Sequence, residues 1–314
     1  MRHLFIINKN AGKNKKNLPV LEKIEKQQGD NVVIRYTEKA QDATDIAREF
    51  VSESDEFVRV YACGGDGTVN EVLSGIYDLD NCALGVIPIG SGNDFIRSFD
   101  GEKEDFRDIE RMMNGSEVEV DLIKAGERVG GNSVTIGFDC AVAKNGAKFK
   151  KRRLITASLA YKLSIFYCLF SGRKHNFTVK VDGEELTREG TYLLSLCAKG
   201  KYYGGGIKCA PKADSSDGYL DFMIIPTIGI FKFIGLLPSF IKGEHLDNPK
   251  ADFIRYKKAR EVEYISDEET EIGIDGEIFK IKQVKISVLP KAQRVIIPQK
   301  ICQKKRLTFS SQSF

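Results

Sequence analysis

Short apolar runs and helix-period segments alternate through the first 125 residues. Leu4-Phe5-Ile6-Ile7 predicts a buried strand, and Leu18 to Ile24 has the spacing of a helix that stops at the Gly29-Asp30 break. The unit then repeats: strand Val32 to Tyr36, helix Ala43 to Phe50, strand Phe57 to Ala62, helix Val69 to Ile76 and strand Ala83 to Pro88. Strands alternating with helices predict an α/β domain built on a parallel sheet, with ligand sites at the C-terminal ends of its strands.

After about Asp121 the period changes to short alternating runs. Asp182-Gly183 and Asp275-Gly276 each sit between two such runs and predict tight hairpin turns. The division that follows is a nucleotide-type α/β domain over 1–124 and a β-rich domain over 125–289. A final strand near 290–299 returns to the first domain, and a polar tail covers 303–314. Leu154 to Phe170 and Ile228 to Ile241 have helical character; Lys162, Lys232, Gly235 and Pro238 interrupt them, so both fall short of a membrane span.

Composition adds constraints rather than a function. The 314 residues carry 48 Lys+Arg against 44 Asp+Glu, so total charge selects no anionic partner. Seven cysteines lie no closer than twelve positions apart, which excludes a CxxC metal or redox pair. With no signal-peptide pattern at the start, they are expected to be core thiols in a reducing cytoplasm. Only three histidines exist, none beside a nucleophile motif, so carboxylates, lysines and backbone groups are left to carry the chemistry.

Glycine is where the chemistry concentrates. Cys63-Gly64-Gly65-Asp66-Gly67-Thr68 follows a strand and leads into a helix, a geometry that brings free N–H groups, a hydroxyl and a carboxylate up to an anion. Ile89-Gly90-Ser91-Gly92-Asn93-Asp94 repeats this logic at the next strand end, and Asn8 to Lys13 at the first. Three such loops side by side on one sheet suit a triphosphate. Neither a Walker loop nor a Rossmann fingerprint is present.

Four segments in order carry a family resemblance: Gly64 to Glu71, Gly90 to Arg97, Ala210 to Asp221, and Ile274-Asp275-Gly276-Glu277. Together they resemble the bacterial diacylglycerol kinases, soluble lipid kinases related to sphingosine kinases; the likeness runs from Leu4 to about Pro298. The first segment alone is shared with NAD kinases and, loosely, phosphofructokinases. The resemblance implies transfer of the ATP γ-phosphoryl group to a lipid hydroxyl, in a cleft between the α/β nucleotide domain and a β-sandwich lipid domain. It assigns nucleotide contacts to Asn8, Lys9, Asn10, Ala11, Gly12, Thr37, Gly65, Asp66, Gly67, Thr68, Val69, Asn70, Glu71, Ser91, Asn93 and Asp94. Lys9 stands where the family usually has Pro, and Ser91 where Thr is common.

Phosphoryl transfer needs a divalent cation and a carboxylate to receive the acceptor's proton. Asp66 and Asp94, on the phosphate loops, suit a Mg²⁺ network with ATP. The resemblance makes Glu277 the candidate base, with Asp66 as the alternative. The triplet alone does not select it, because Asp182-Gly183-Glu184 is the same sequence in another hairpin; its position after the Asp214 to Asp221 segment does. Asp214, Asp217 and the Tyr219 carbonyl read either as a turn before a strand or, by resemblance, as a second, structural Mg²⁺ site. Asp121 and Lys13 resemble a family ion-pair network tying the phosphate loop to the second domain; an ordinary turn residue is the other reading of Asp121.

Partners follow the same lines. Lys144 to Arg153 holds six cations in ten residues next to an apolar segment, which reads as a solvated loop or as a dock on anionic lipid at the inner face of the membrane. The run has only Phe149 among its cations, so nucleic acid is not expected. An edge-strand homodimer is a further expectation. The preferred product is phosphatidic acid from diacylglycerol, with another lipid alcohol such as a sphingoid base or a phosphatidylglycerol-like lipid, NAD, or a non-catalytic binding role as rivals.

Overall fold

The structure, a computed structural model, describes residues 1–10, 17–27, 29–137, 140, 142, 175–187 and 191–299. Lys144 to Arg153, the Leu154 to Phe170 helix and the 303–314 tail therefore lie outside the described residues.

Strands β1 (Arg2–Asn8), β2 (Val32–Thr37), β3 (Val58–Gly64) and β4 (Cys82–Pro88) pair in parallel in the order β2-β1-β3-β4. Every residue of β3 and β4 is buried, as central strands covered on both faces require. Helices α1 (Leu18–Glu25), α2 (Asp42–Ser52) and α3 (Asp66–Ile76) supply the crossovers. Register places Asn8 opposite Thr37 and Gly64 opposite Pro88, so the strand ends that carry the glycine segments stand in one row. Two short helices, α4 (Lys103–Phe106) and α5 (Ile109–Met113), close the first domain.

β5 (Ser116–Ala125) carries the chain out of that domain, and the short β6 (Arg128–Gly130) folds back on it. The remaining strands pair antiparallel with one another: β7 (Ser133–Gly137), β8 (His175–Asn176), β9 (Thr178–Val181), β10 (Glu184–Thr187), β11 (Thr191–Ala198), β12 (Leu220–Pro226), β13 (Arg255–Ala259), β14 (Glu261–Ile274) and β15 (Glu277–Ile297). Tyr264, Phe222, Val179 and Val262 fill the interior between their faces. β15 is long enough to serve both halves. It leaves the hairpin with β14, pairs along β5, and reaches β4 in parallel at Val295 opposite Leu84, so one sheet runs through the molecule.

Both Asp-Gly turns have their two central residues at positive φ, 52° and 85° at Asp182-Gly183 and 47° and 90° at Asp275-Gly276. That is the tight turn whose twist matches paired strands. The second apolar helix is α6 (Ile230–Lys242), capped by the left-handed Gly243. Its buried stripe, Phe233, Leu236 and Phe240, packs on Leu194, Leu196 and Met223. No helix among the described residues is long and apolar enough to cross a membrane. Cys63, Cys82, Cys140, Cys197 and Cys209 are buried thiols, and burial pushes those of Cys82 and Cys197 up to about 12.

Candidate active site

The first glycine segment is less a loop than a helix terminus. α3 begins at Asp66, three residues before the periodicity of apolar positions suggests, so Gly67 and Thr68 belong to its first turn. The Gly64 and Gly90 segments pack backbone on backbone: a Cβ on Gly90 would lie 2.3 Å from Gly65 Cα, and one on Gly64 would lie 2.2 Å from Thr68 Oγ1. The Asp66 carboxylate holds the two segments together, accepting N–H bonds from Asn93 (2.7 Å), Asp94 (2.6 Å) and Phe95 (3.2 Å). Asn8 Nδ2 donates to Thr68 Oγ1 at 3.0 Å, which brings the first strand end into the same wall.

These residues line an open cleft of about 710 Å³ with Asn8, Asn10, Gly65 to Thr68, Glu71 and Ser91 on its surface. The first turn of α3, whose N–H groups have no partner within the helix, lines it. Lys103 and Arg107 complete the wall, two cations that the glycine pattern gave no reason to single out. Burial first, then the Arg107 charge, pull the Lys103 ammonium below its usual range. Two cations in one cleft with helix-terminal N–H groups suit an anion, and the volume leaves room for several phosphates.

A second cavity, of about 270 Å³, lies between the domains. Val69, Leu73 and Phe95 line it from one side and Ser133, Thr135, Tyr203 and Gly205 from the other. Asp66, Ser91 and Gly92 face both spaces, so the two meet there. Asp94 is buried at the same junction; it accepts the Gly205 N–H at 2.7 Å and lies 3.3 Å from Arg97 Nε. Burial raises its carboxyl to about 6 despite the Gly205 bond, with the Asp66 charge adding to the rise. The Gly204-Gly205-Gly206 run that supplies this donor has φ of 63°, 85° and 111°. Three consecutive glycines were the available signal for it.

Asp275 proves to be the hinge of the site. Its carboxylate accepts from Asn70 Nδ2 (3.1 Å) and from the N–H groups of Gly131 (2.7 Å), Asn132 (3.1 Å) and Ser133 (2.8 Å). It thus ties α3 to the segment entering β7 and to the β14–β15 hairpin. Burial lifts this carboxyl above the usual range against the pull of those donors. Glu277, two residues on, lines an adjoining recess with Asn70, Glu71 and Arg128. Burial, then the Glu71 charge, raise it, while Arg128 opposes.

Several predicted contacts point elsewhere. Thr37 is buried at the end of β2 without facing the cleft. Lys9 turns to Glu38, 3.7 Å away, and to the Tyr36 ring. Asn70 serves Asp275, Val69 lines the interdomain cavity, and Asn93, with φ of 56°, donates its amide to Gly90 O at 2.8 Å. Ala11, Gly12 and Lys13 lie outside the described residues.

Asp121, at the domain junction, is buried and pairs with Lys199 (Nζ to Oδ2, 2.8 Å). It also accepts from the N–H groups of Gly218 (2.7 Å) and Lys291 (2.9 Å), which fastens β5 to the turn before β12 and to β15. Lys199, which the sequence reading did not single out, also reaches Asp217 and the Tyr219 carbonyl, two of the three groups expected to hold a structural metal. Asp214 instead accepts from the N–H and hydroxyl of Ser216, both at 2.9 Å.

Comparison with known proteins agrees with this architecture. Residues 2–125 match the family described as diacylglycerol kinase catalytic domain, and residues 132–297 match the YegS C-terminal NAD kinase beta sandwich-like domain. A diacylglycerol kinase of Bacillus subtilis (strain 168) is 31% identical over 287 residues, spanning 88% of this chain and 89% of that protein. One from Staphylococcus saprophyticus is 30% identical, covering 88% of each chain. The crystal structure of a diacylglycerol kinase from Bacillus anthracis str. Sterne has the same fold, with a TM-score of 0.69 at 24% identity over 94% of this chain and 96% of that one. With its glycine-lined anion cleft opening on an interdomain cavity, the chain belongs to the diacylglycerol kinase family of lipid kinases.

Proposed function

We propose that the protein transfers the γ-phosphoryl group of ATP to the primary hydroxyl of diacylglycerol, giving phosphatidic acid. The observation that carries this reading is the shared wall at Asp66, Ser91 and Gly92, where an anion cleft meets a cavity that Val69, Leu73, Phe95 and Tyr203 line beside carboxylates and glycines. A nucleotide in the first and a lipid headgroup in the second would bring their reacting ends together there. The curated relatives that bear the name diacylglycerol kinase support the choice of acceptor.

Roles follow from the geometry. The α3 N-terminus, Asn8, Lys103 and Arg107 hold phosphate oxygens by N–H donation and charge. Asp66 fixes the two glycine segments in register. Asp94, buried, and Asp66, partly exposed, bring two carboxylates of like charge to the junction, an oxygen donor set that would suit a hard divalent cation. Bound Mg²⁺ would supply neutralisation of the phosphate oxygens as charge develops. Glu277, which lines the recess beside α3 and whose carboxyl burial raises above its usual range, is the proposed base. Asp66 remains the alternative, although three N–H donors already hold its oxygens.

Mixed micelles containing diacylglycerol, sphingosine or no lipid, incubated with γ-labelled ATP, Mg²⁺ and NAD, test the reading directly. Label in phosphatidic acid is expected. Label confined to a sphingoid phosphate would move the acceptor, and label confined to NADP would overturn the lipid reading. Glu277→Gln should lower the rate about 10²- to 10⁴-fold if it carries the proton.

A further inference from the structure

The turn before β12 is neutralised from within. Lys199 follows β11, and its side chain is fully buried. An ammonium has three N–H donors and no acceptor. Here all three are used, on Asp121 Oδ2 at 2.8 Å, Asp217 Oδ1 at 2.8 Å and the Tyr219 carbonyl at 2.7 Å. Lys258, from β13, makes a second such set on Asp217 Oδ2 (2.6 Å), Asp221 Oδ2 (2.8 Å) and the Lys212 carbonyl (3.4 Å). Asp217 therefore has one lysine on each oxygen.

That arrangement does not fit the structural Mg²⁺ that the family resemblance implies at Asp214, Asp217 and Tyr219. A hard cation needs six or more oxygens at short range. Two of the three expected groups are bonded to Lys199, and the third is bonded to its own turn through Ser216. A divalent ion entering here would have to expel a buried ammonium or sit beside it. Expelling the fully buried Lys199 ammonium would leave the buried Asp121 carboxylate without its counter-charge, and a second cation beside it would meet like charge.

We infer that Lys199 and Lys258 take the place of a structural divalent cation in this chain, and that the Asp214–Asp221 turn binds no metal. Because Asp121 also holds Gly218 and Lys291, the Lys199 ammonium fixes the turn to β5 and β15. The junction between the domains is then set by the chain alone, whatever the free Mg²⁺ concentration and whichever lipid the cavity accepts. Any divalent-cation requirement of the enzyme would belong to the nucleotide and the chemistry.

Calorimetric melting of the nucleotide-free protein in EDTA, in millimolar Mg²⁺ and in millimolar Ca²⁺ tests the inference without using activity. The three melting temperatures are expected to agree within about 1 °C, since a ligand that binds only the native state raises them by mass action. A drop in EDTA that Mg²⁺ or Ca²⁺ restores would overturn it. Lys199→Met, which leaves three carboxylates with one lysine, should melt roughly 5 °C lower or more; an unchanged melt would also overturn the inference. If that variant does not fold, crystals of the wild type grown with Mn²⁺ decide. No anomalous peak is expected between Asp217 and the Tyr219 carbonyl, and a peak there refutes the substitution.

Discussion

Gly205 donates its backbone N–H to Asp94 Oδ2 at 2.7 Å, a bond that crosses from the β-rich second domain to the α/β first domain. The bond joins the two domains at a carboxylate that lines the cavity between them. Burial raises the Asp94 carboxyl to about 6 even so. The sign of the linkage is then fixed. A folded carboxyl above its unfolded value of about 3.9 holds its proton more tightly in the native state, so stability falls as pH rises through roughly 4 to 6.

Asp94→Asn should accordingly be more stable than the wild type at pH 7.5, by about 1–3 kcal/mol, and no more stable at pH 4. The variant should also lose at least 100-fold in phosphoryl transfer, a trade of activity for stability common at strained sites. Paired calorimetric melts at the two pH values, with an activity assay, check both parts. A variant that melts lower at pH 7.5 would contradict the assigned direction of the shift.

Glycine is required at some positions of the phosphate segments and not at others, and this separates two substitutions. Gly90→Ala puts a methyl 2.3 Å from Gly65 Cα, backbone against backbone, so the two segments must part. Loss of activity of about 100-fold or more is expected, with a clear drop in melting temperature. Gly67 has open space around its missing Cβ and sits in the first turn of α3. Gly67→Ala should fold with equal or greater stability, by up to about 1 kcal/mol, while raising the nucleotide KM because the methyl faces the cleft.

The parts of this molecule visible in its sequence are those governed by local pattern. Strand and helix positions of the first domain, both Asp-Gly hairpins and α6 follow from periodicity and turn chemistry, because neighbouring residues decide them. The start of α3 at Asp66 was hidden, since Gly-Asp-Gly-Thr reads as loop until Asp66 is seen holding the second segment. Asp275, Lys199, Lys103 and Gly205 were missed as site residues for a different reason. Three of them act through partners far along the chain, Asp275 meeting Gly131 across 144 positions and Gly205 meeting Asp94 across 111, while Lys103 is placed by the fold on the wall of a cleft whose other residues come from distant segments. No spacing rule reports such contacts. A lysine within β-rich sequence looks like a surface cation until burial shows it surrounded by acceptors.

Lys103 offers a cleaner test of the anion cleft than any glycine, because it stands on a helix rather than in the packed loops. Its ammonium is pulled below the usual range by burial and by Arg107, so a nucleotide phosphate entering the cleft would relieve that repulsion. Lys103→Met should raise the KM for ATP about tenfold and leave kcat within about threefold, the signature of lost ground-state binding. The wild-type KM should also rise as pH increases through the lowered lysine range, and this dependence should vanish in the variant. Equal loss in kcat would place Lys103 at the transferring phosphoryl instead.

α6 presents a second apolar face beside its buried one. Phe231 is 88% exposed and Ile234 and Ile241 lie on the same side, with Lys232 and Lys242 close by. An apolar stripe flanked by lysines is the composition of a helix that rests in a bilayer interface, rings among the acyl chains and ammonium groups at the phosphates. Diacylglycerol, the proposed acceptor, resides in bilayers, and for an enzyme drawing on it there this is the face that would rest on the lipid. Inserting one Phe contributes about 2 kcal/mol, so Phe231→Ser should weaken binding to vesicles of anionic lipid by roughly tenfold or more. Activity on diacylglycerol in vesicles should fall in parallel, whereas activity on a short-chain, water-dispersed diacylglycerol should stay near the wild-type rate. Sedimentation with vesicles, alongside the two assays, distinguishes an interfacial helix from one that matters only for folding, because a folding defect would depress both activities together.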